Sequence, residues 1–240
     1  MENKVDILAF GAHPDDVELG ASGTLLKHKA AGNSIAVVDL TQGELGSRGT
    51  IETRYTEAAD AQEIMGLSAR VNLKMADGFF THSEENLRLV VEQIRRFRPK
   101  IVLANAFSDR HPDHGKGSKL VSDACFLAGL RKVETTWNGE VQDFYRPEAV
   151  YHYIQDRMIS PDFVVDVTDF VPRKFDAIKA YKTQFWDPES SEPKTPISGE
   201  EFFQFLEGRM AEFGRAIGVK YAEGFCVERF PGVDLLTDLK

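Results

Sequence analysis

The sequence predicts an α/β fold in which helices flank a doubly wound, mostly parallel sheet. Three observations predict it. Short apolar, β-branched runs alternate with helix-period segments along most of the chain. Two short His/Asp-rich segments each follow one of those runs directly, at the place where open α/β sheets bind ligands. Finally, 240 residues with 42% hydrophobic and 28% charged content suffice for one ordinary soluble core.

The elements follow in order. Val5 to Phe10 reads as a buried strand, and Gly20 to Ala31 as a helix with Leu25, Leu26 and Ala30 on one side and Gly32 as its stop. Ser34 to Leu40 is a β-branched strand, and Glu52 to Met65 an Ala- and Glu-rich helix ending at Gly66. Val71 to Met75 is a short strand. Glu84 to Arg98 is amphipathic, with Leu87, Val90 or Val91, Ile94 and Phe97 at helical spacing before Pro99. A strand at Ile101 to Ala106 and a helix at Lys119 to Leu130 come next. Strands are expected at Ala149 to Ile154 and Phe163 to Val167, then a helix from Pro172 to Phe185. Residues 186–196, with three prolines, read as a polar loop. Ser198 with Glu201 reads as a capping box opening a helix that carries Phe202, Leu206, Met210, Phe213 and Ile217. The expectation is one domain over 1–240, Rossmann-like in architecture. Residues 1–185 form the α/β core; 186–240 form a loop and a helix-and-strand appendage, too short for an independent core.

A net charge of −9 argues against a broad nucleic-acid surface. No apolar run approaches the roughly 20 residues that span a bilayer, and the N-terminus lacks a signal-peptide pattern, so a cytoplasmic protein without a membrane partner is expected. Cys125 and Cys226, far apart and flanked by apolar residues, read as buried free thiols.

The chemistry lies in Ala12-His13-Pro14-Asp15-Asp16 and His111-Pro112-Asp113-His114, which hold three of the six histidines. Neighbouring carboxylates near a low-dielectric core call for a cation. His13 and Asp16, three apart, can reach one ion from a tight turn, which leaves Asp15 free to move a proton. In the second segment one imidazole can bind metal and the other, with Asp113 near it, can act as a charged or acidic group. Two His and one carboxylate leave an open coordination position, the pattern of catalytic zinc that acidifies a water to a pKa of about 7. The same set suits non-haem Fe(II). A non-catalytic zinc module that binds sugar is the bland alternative. The first strand–helix turn has neither G-x-G-x-x-G nor a P-loop. The Gly-rich segment 41–50, Arg54 just beyond it, and Asp77 after the third strand fall at the same sheet edge and are candidate substrate walls.

Gly11-Ala12-His13-Pro14-Asp15-Asp16-Val17-Glu18 together with His111-Pro112-Asp113-His114 resembles the zinc-dependent N-acetylglucosaminyl de-N-acetylases (PIG-L/LmbE-like). The resemblance extends to Lys220-Tyr221-Ala222-Glu223-Gly224-Phe225. The Gly43-Glu44-Leu45-Gly46 loop and Arg110 to Ser118 look most like the bacillithiol branch, which deacetylates N-acetylglucosaminyl malate. The resemblance implies His13, Asp16 and His114 as zinc ligands, with Fe2+ or Co2+ as alternatives. It implies Asp15 as general base, a protonated His111 on the oxyanion, and Asp113 orienting or tuning His111. Arg54 matches a substrate-binding arginine, and Asp77 an acid that contacts sugar hydroxyls. Arg110 is added as a candidate for malate carboxylates. The implied partners are a small N-acetylated glycoside, malate-linked or a chitooligosaccharide, and further copies of the chain, a hexamer among the forms expected. One position departs: Asp109 stands where some relatives carry a tyrosine acid.

Overall fold

In the computed structural model, which describes residues 4–185 and 191–239, the chain forms nine strands and six α-helices among those residues. Residues 186–190, the start of the expected polar loop, lie outside them. In order the elements are β1 (Ile7–Gly11), α1 (Asp16–Ala30), β2 (Ile35–Thr41), α2 (Ile51–Met65), β3 (Ala69–Met75), α3 (Glu84–Phe97), β4 (Ile101–Ala104) and α4 (Pro112–Ala128). There follow a small hairpin, β5 (Thr136–Trp137) and β6 (Glu140–Val141), then β7 (Ala149–Tyr153), β8 (Phe163–Asp166), α5 (Val171–Lys179), α6 (Glu200–Ala216) and β9 (Ala222–Val227). No helix among the described residues is long and apolar enough to cross a membrane.

Seven strands make one sheet in the order β3-β2-β1-β4-β7-β9-β8. The pairs β3/β2, β2/β1, β1/β4 and β4/β7 are parallel, while β9 runs antiparallel to both β7 and β8. The segment expected as an appendage thus supplies a strand inside the sheet. Successive side chains of a strand face opposite ways. Leu8 and Phe10 of β1 therefore pack with Val90, Ile94 and Phe97 of α3 and Leu120 and Ala124 of α4. Ile7 and Ala9 pack with Val17, Ala21 and Leu25 of α1 on the other face. Helices cover both faces, as an apolar parallel sheet requires. Each large side chain withdrawn from water in this way contributes about 1.5–3 kcal/mol.

Four helix ends differ from the sequence expectation. α1 begins at Asp16 and α4 at Pro112, so both helices start inside the His/Asp segments. Packing overrides the weak helix propensity of Gly115 and Gly117 here. A Cβ on Gly117 would come 3.1 Å from Leu40 and 3.4 Å from the Asn105 side-chain oxygen. The Ser198 capping box does not form. Gly199 is the N-cap of α6, and the Ser198 hydroxyl instead accepts from the Thr195 N–H and donates to the Thr195 carbonyl. α5 ends at Lys179, short of the expected Phe185.

A buried ion pair ties β9 to α1. Glu223 accepts from the Gly23 and Thr24 N–H groups, while Lys174 Nζ donates to the carbonyls of Glu18 and Leu19 and lies 2.8 Å from Glu223 Oε1. A Cβ on Gly20 would overlap the fully buried ring of Tyr153 in β7. These contacts lock the first turns of α1, and with them Asp15 and Asp16, against the sheet.

Candidate active site

The order β2-β1-β4 makes the gap between β1 and β4 the switch point of the sheet, and both His/Asp segments leave their strands there. Asp15, the N-cap of α1, has φ 118°, a left-handed conformation that costs a non-glycine residue roughly 1–3 kcal/mol. Asp16 is the first residue of α1. His111 is the N-cap of α4, with Pro112 behind it at a position where the missing N–H costs nothing. Two helix N-termini thus converge on the site, and their dipoles favour carboxylates such as Asp16 and Asp113.

His13, Asp16 and His114 meet. Asp16 Oδ1 lies 3.1 Å from His114 Nε2, and Asp16 Oδ2 lies 3.5 Å from His13 Nδ1. Ligand atoms about 2.1 Å from a tetrahedral ion stand about 3.4 Å apart, and each of these two separations is close to that spacing. His13, His111 and His114 also bring ring nitrogens within 4.8 Å of one another, as do the donors of His13, Asp77 and Asp113. His13 belongs to both groups.

Each donor is held from behind. Asp16 Oδ2 accepts from the His13 N–H at 2.9 Å and from Asn105 Nδ2 at 3.0 Å, while Gln155 Nε2 donates to Oδ1 at 2.9 Å. Asp77 Oδ1 lies 3.0 Å from His13 Nε2. Asp109 Oδ2 lies 2.5 Å from His114 Nδ1, and Asp109 Oδ1 accepts from the Arg157 N–H at 2.6 Å. A carboxylate behind an imidazole fixes its tautomer and turns the other nitrogen toward a metal. The charges agree. Burial lowers the His114 pKa, but the Asp16 charge and the Asp109 bond raise it to about 9. Burial works against Asp16 as well, yet the His114 charge keeps it well below the usual carboxylate range. The cluster is built to surround positive charge.

Asp15 differs from its neighbour. Burial pushes its pKa up, against the Arg54 guanidinium and helped by the Asp16 charge, to about 7. Arg54 Nη1 donates to Asp15 Oδ2 at 3.1 Å and to the Pro14 carbonyl at 2.7 Å. Arg54 therefore lines the cleft and holds Asp15 through one of its terminal nitrogens.

His111 corrects one expectation. Its Nδ1 accepts from the Asp113 N–H at 3.3 Å, so Nδ1 carries no proton. Burial, then the His13 and His114 charges, lower its pKa. Both features favour a neutral imidazole with an Nε2–H over the imidazolium expected. Asp113 orients His111 through its backbone. Its carboxylate goes elsewhere: Oδ2 accepts from the Gly78 N–H at 2.7 Å, Oδ1 accepts from Lys116 Nζ at 2.9 Å, and His13 Nε2 lies 3.5 Å from Oδ2. Asp77 is likewise engaged, by His13 and by the Leu45 N–H at 2.9 Å. Arg110, half-exposed, pairs with Asp156 at the rim, Nε to Oδ2 2.5 Å.

A cleft of about 240 Å³ opens on this cluster. His13, Asp15, Asp16, Arg54, Asp77, Arg110, His111 and His114 all line it; Asp113 lies behind. Sequence reasoning missed Asn105, Gln155 and the role of Asp109, and it missed the contribution of α6, whose Phe202, Phe205 and Leu206 form a wall.

The GlcNAc-PI de-N-acetylase (PIG-L) family pattern matches residues 8–125, which contain both segments. The crystal structure of the conserved protein TT1542 from Thermus thermophilus is 35% identical, with a TM-score of 0.85 over 97% of this chain and 98% of that one. Diacetylchitobiose deacetylase of Thermococcus kodakarensis is 27% identical over 95% of this chain and 84% of its own length. A probable N-acetyl-alpha-D-glucosaminyl L-malate deacetylase of Bacillus anthracis is 23% identical over 77% of this chain and 84% of its own. With the motif, the sheet order and a full-length relative in agreement, the chain belongs to the PIG-L family.

Proposed function

We propose that the protein is a metal-dependent hydrolase that removes acetate from an N-acetylated glucosamine glycoside. One observation carries the reading: Asp15 is a buried, backbone-strained carboxylate beside the donors His13, Asp16 and His114, with a pKa raised to about 7. A general base works best when its pKa lies near the operating pH.

Zn2+ is the metal the donor set suits first, with Fe2+ or Co2+ as alternatives, and it would supply Lewis acidity toward the acetyl carbonyl and the attacking water. Asp15 accepts the proton that water loses as its oxygen bonds to the carbonyl carbon. Arg54 keeps Asp15 aimed and favours its ionised form. His111 Nε2–H donates to the carbonyl oxygen as negative charge grows there; a neutral imidazole at a helix N-terminus suits that role. When the C–N bond breaks, the proton held by Asp15 passes to the leaving amine, giving acetate and the free amino sugar. Asp109, Asp77 and Asp113 keep the imidazoles in register. Relatives supply two candidate aglycones within this class, a second N-acetylglucosamine and malate.

The test is acetate and amine release from a panel of N-acetylglucosaminides that includes both. Replacing Asp15 by Asn is expected to leave metal content unchanged and to lower kcat about 10²–10⁴-fold. An Asp15→Asn enzyme as active as wild type would show that the base lies elsewhere.

A further inference from the structure

Part of the lining of the cleft is apolar. Leu19, Leu45, Ile197, Phe202, Phe205 and Leu206 line it. The rings form a lane along α6. Phe185 and Phe202 stack with centroids 5.9 Å apart and 5° between planes, and Phe202 and Phe205 stack at 6.0 Å. The lane runs from a fully buried Phe185 to a Phe205 that is 42% exposed, facing a mouth where Leu45 is 61% exposed. Both arginines that line the cleft already have carboxylate partners, Arg54 with Asp15 and Arg110 with Asp156. A dicarboxylate aglycone would have to share those guanidinium groups with Asp15 or Asp156, whereas an apolar one would find preformed surface to cover.

We infer that the subsite beyond the N-acetyl sugar takes an apolar aglycone, alkyl or aromatic, laid along Phe202 and Phe205, and that Phe205 determines this specificity. The inference rests on the deacetylase reading above. Aromatic side chains at a cleft mouth offer large contact area at low conformational cost, and an aromatic aglycone can extend the stack.

The experiment compares kcat/KM for acetate release from the methyl and hexyl glycosides of N-acetylglucosamine, in one anomeric form, by the intact metal-loaded protein. Each methylene covered is worth about fourfold in binding, so covering three of the five extra methylenes gives a hexyl-to-methyl ratio of about 60. Phe205→Ser is expected to bring that ratio below about 10, while Phe205→Met, which keeps an apolar body, retains most of it. Hydrolysis of both glycosides with a ratio near 1, or a ratio that Phe205→Ser does not change, overturns the subsite and leaves the deacetylase reading standing. A malate glycoside turned over tenfold faster than the hexyl one overturns the subsite too. If folded, metal-loaded protein releases acetate from none of the three, the deacetylase reading fails and the subsite with it.

Discussion

Replacing Asp109 by Asn tests how the metal donors are held. The Asp109 carboxylate accepts from two donors, His114 Nδ1–H at 2.5 Å and the Arg157 N–H at 2.6 Å, in a buried position. An Asn side chain is nearly the same shape but has one acceptor oxygen and one NH2 group. Whichever way it turns, it sets N–H against N–H on one side. A buried donor left unpaired costs about 1–3 kcal/mol. If the loss falls on His114, the ring also loses the negative charge that fixes its Nδ1–H tautomer, and Nε2 becomes a weaker donor to metal. Removing such a partner typically lowers metal affinity or activity 10–100-fold, about 1.4–2.7 kcal/mol. The assay is titration of the metal-free protein with Zn2+ against a chromophoric chelator, with circular dichroism to establish that the variant is folded. Asp156→Asn is the control, because Asp156 bonds Arg110 at the rim and no donor of the cluster, so it should leave metal affinity unchanged. A folded Asp109→Asn protein that binds Zn2+ within twofold of wild type would refute the assignment of Asp109 as the group that holds His114.

Further predictions concern the frame behind the site. Gly20→Ala drives a methyl group into the Tyr153 ring, which is pinned by a 2.8 Å bond from its hydroxyl to the Phe10 carbonyl, so urea denaturation should show a loss of about 1–3 kcal/mol. Lys174→Met leaves the Glu223 carboxylate buried without its cation and should cost about 3–5 kcal/mol; adding Glu223→Gln should recover part of that, and a double variant no better than the single would sink the ion-pair account. Asp6 accepts from the Ser34 N–H at 2.8 Å and from the Ser34 hydroxyl at 2.7 Å, and these bonds lower its pKa from the ordinary 3.8. A carboxylate lowered in the folded state stabilises it above the unfolded pKa and stops doing so as pH falls through the folded one. The advantage of wild type over Asp6→Asn in thermal melts should therefore be full above about pH 5 and shrink steadily toward pH 2.

What the sequence disclosed and what it hid divide by distance along the chain. The strand and helix alternation is local, and so is the placement of His13, Asp15 and Asp16 within one turn, or of His111 and His114 across the first turn of α4. Those were legible. Gln155 reaches Asp16 from 139 residues away, and Asn105 reaches it from 89. Asn105 falls in the expected strand Ile101 to Ala106 and Gln155 just after Ala149 to Ile154, and nothing in their neighbours marks them as holding Asp16. A strand was expected in the C-terminal segment, but the bounds of β9 and its place between β7 and β8 were hidden for a related reason. Its run Ala222-Glu223-Gly224-Phe225-Cys226-Val227 carries an acid and a glycine, which spoil a strand pattern. Both have tertiary causes: Glu223 serves α1, and a Cβ at position 224 would meet the Phe213 ring at 2.8 Å. The starts of α1 and α4 were set too late because proline, aspartate and glycine read as loop, whereas here proline and aspartate open helices and the glycines allow close packing.

The same division explains why residue type alone did not disclose the protein partners of Asp77 and Arg54. Charged residues near a cleft suggest contact with substrate, and the sequence offered no way to know that each already had a partner. The buried acids Asp15, Asp16, Asp77, Asp109 and Asp113 cannot be left bare at the core of a sheet. Arg54 answers Asp15, Lys116 answers Asp113, and the two helix N-termini supply partial positive charge at Asp16 and Asp113. His13 and His114 lie against Asp77, Asp109 and Asp16, and the proposed metal would supply the remaining compensation. A site whose charged residues are largely engaged with one another has less polarity to offer the rest of a substrate. Discrimination then falls to shape and to the apolar wall on α6, and that is why Phe205, which carries no chemistry of its own, is the residue whose replacement should change what the enzyme prefers.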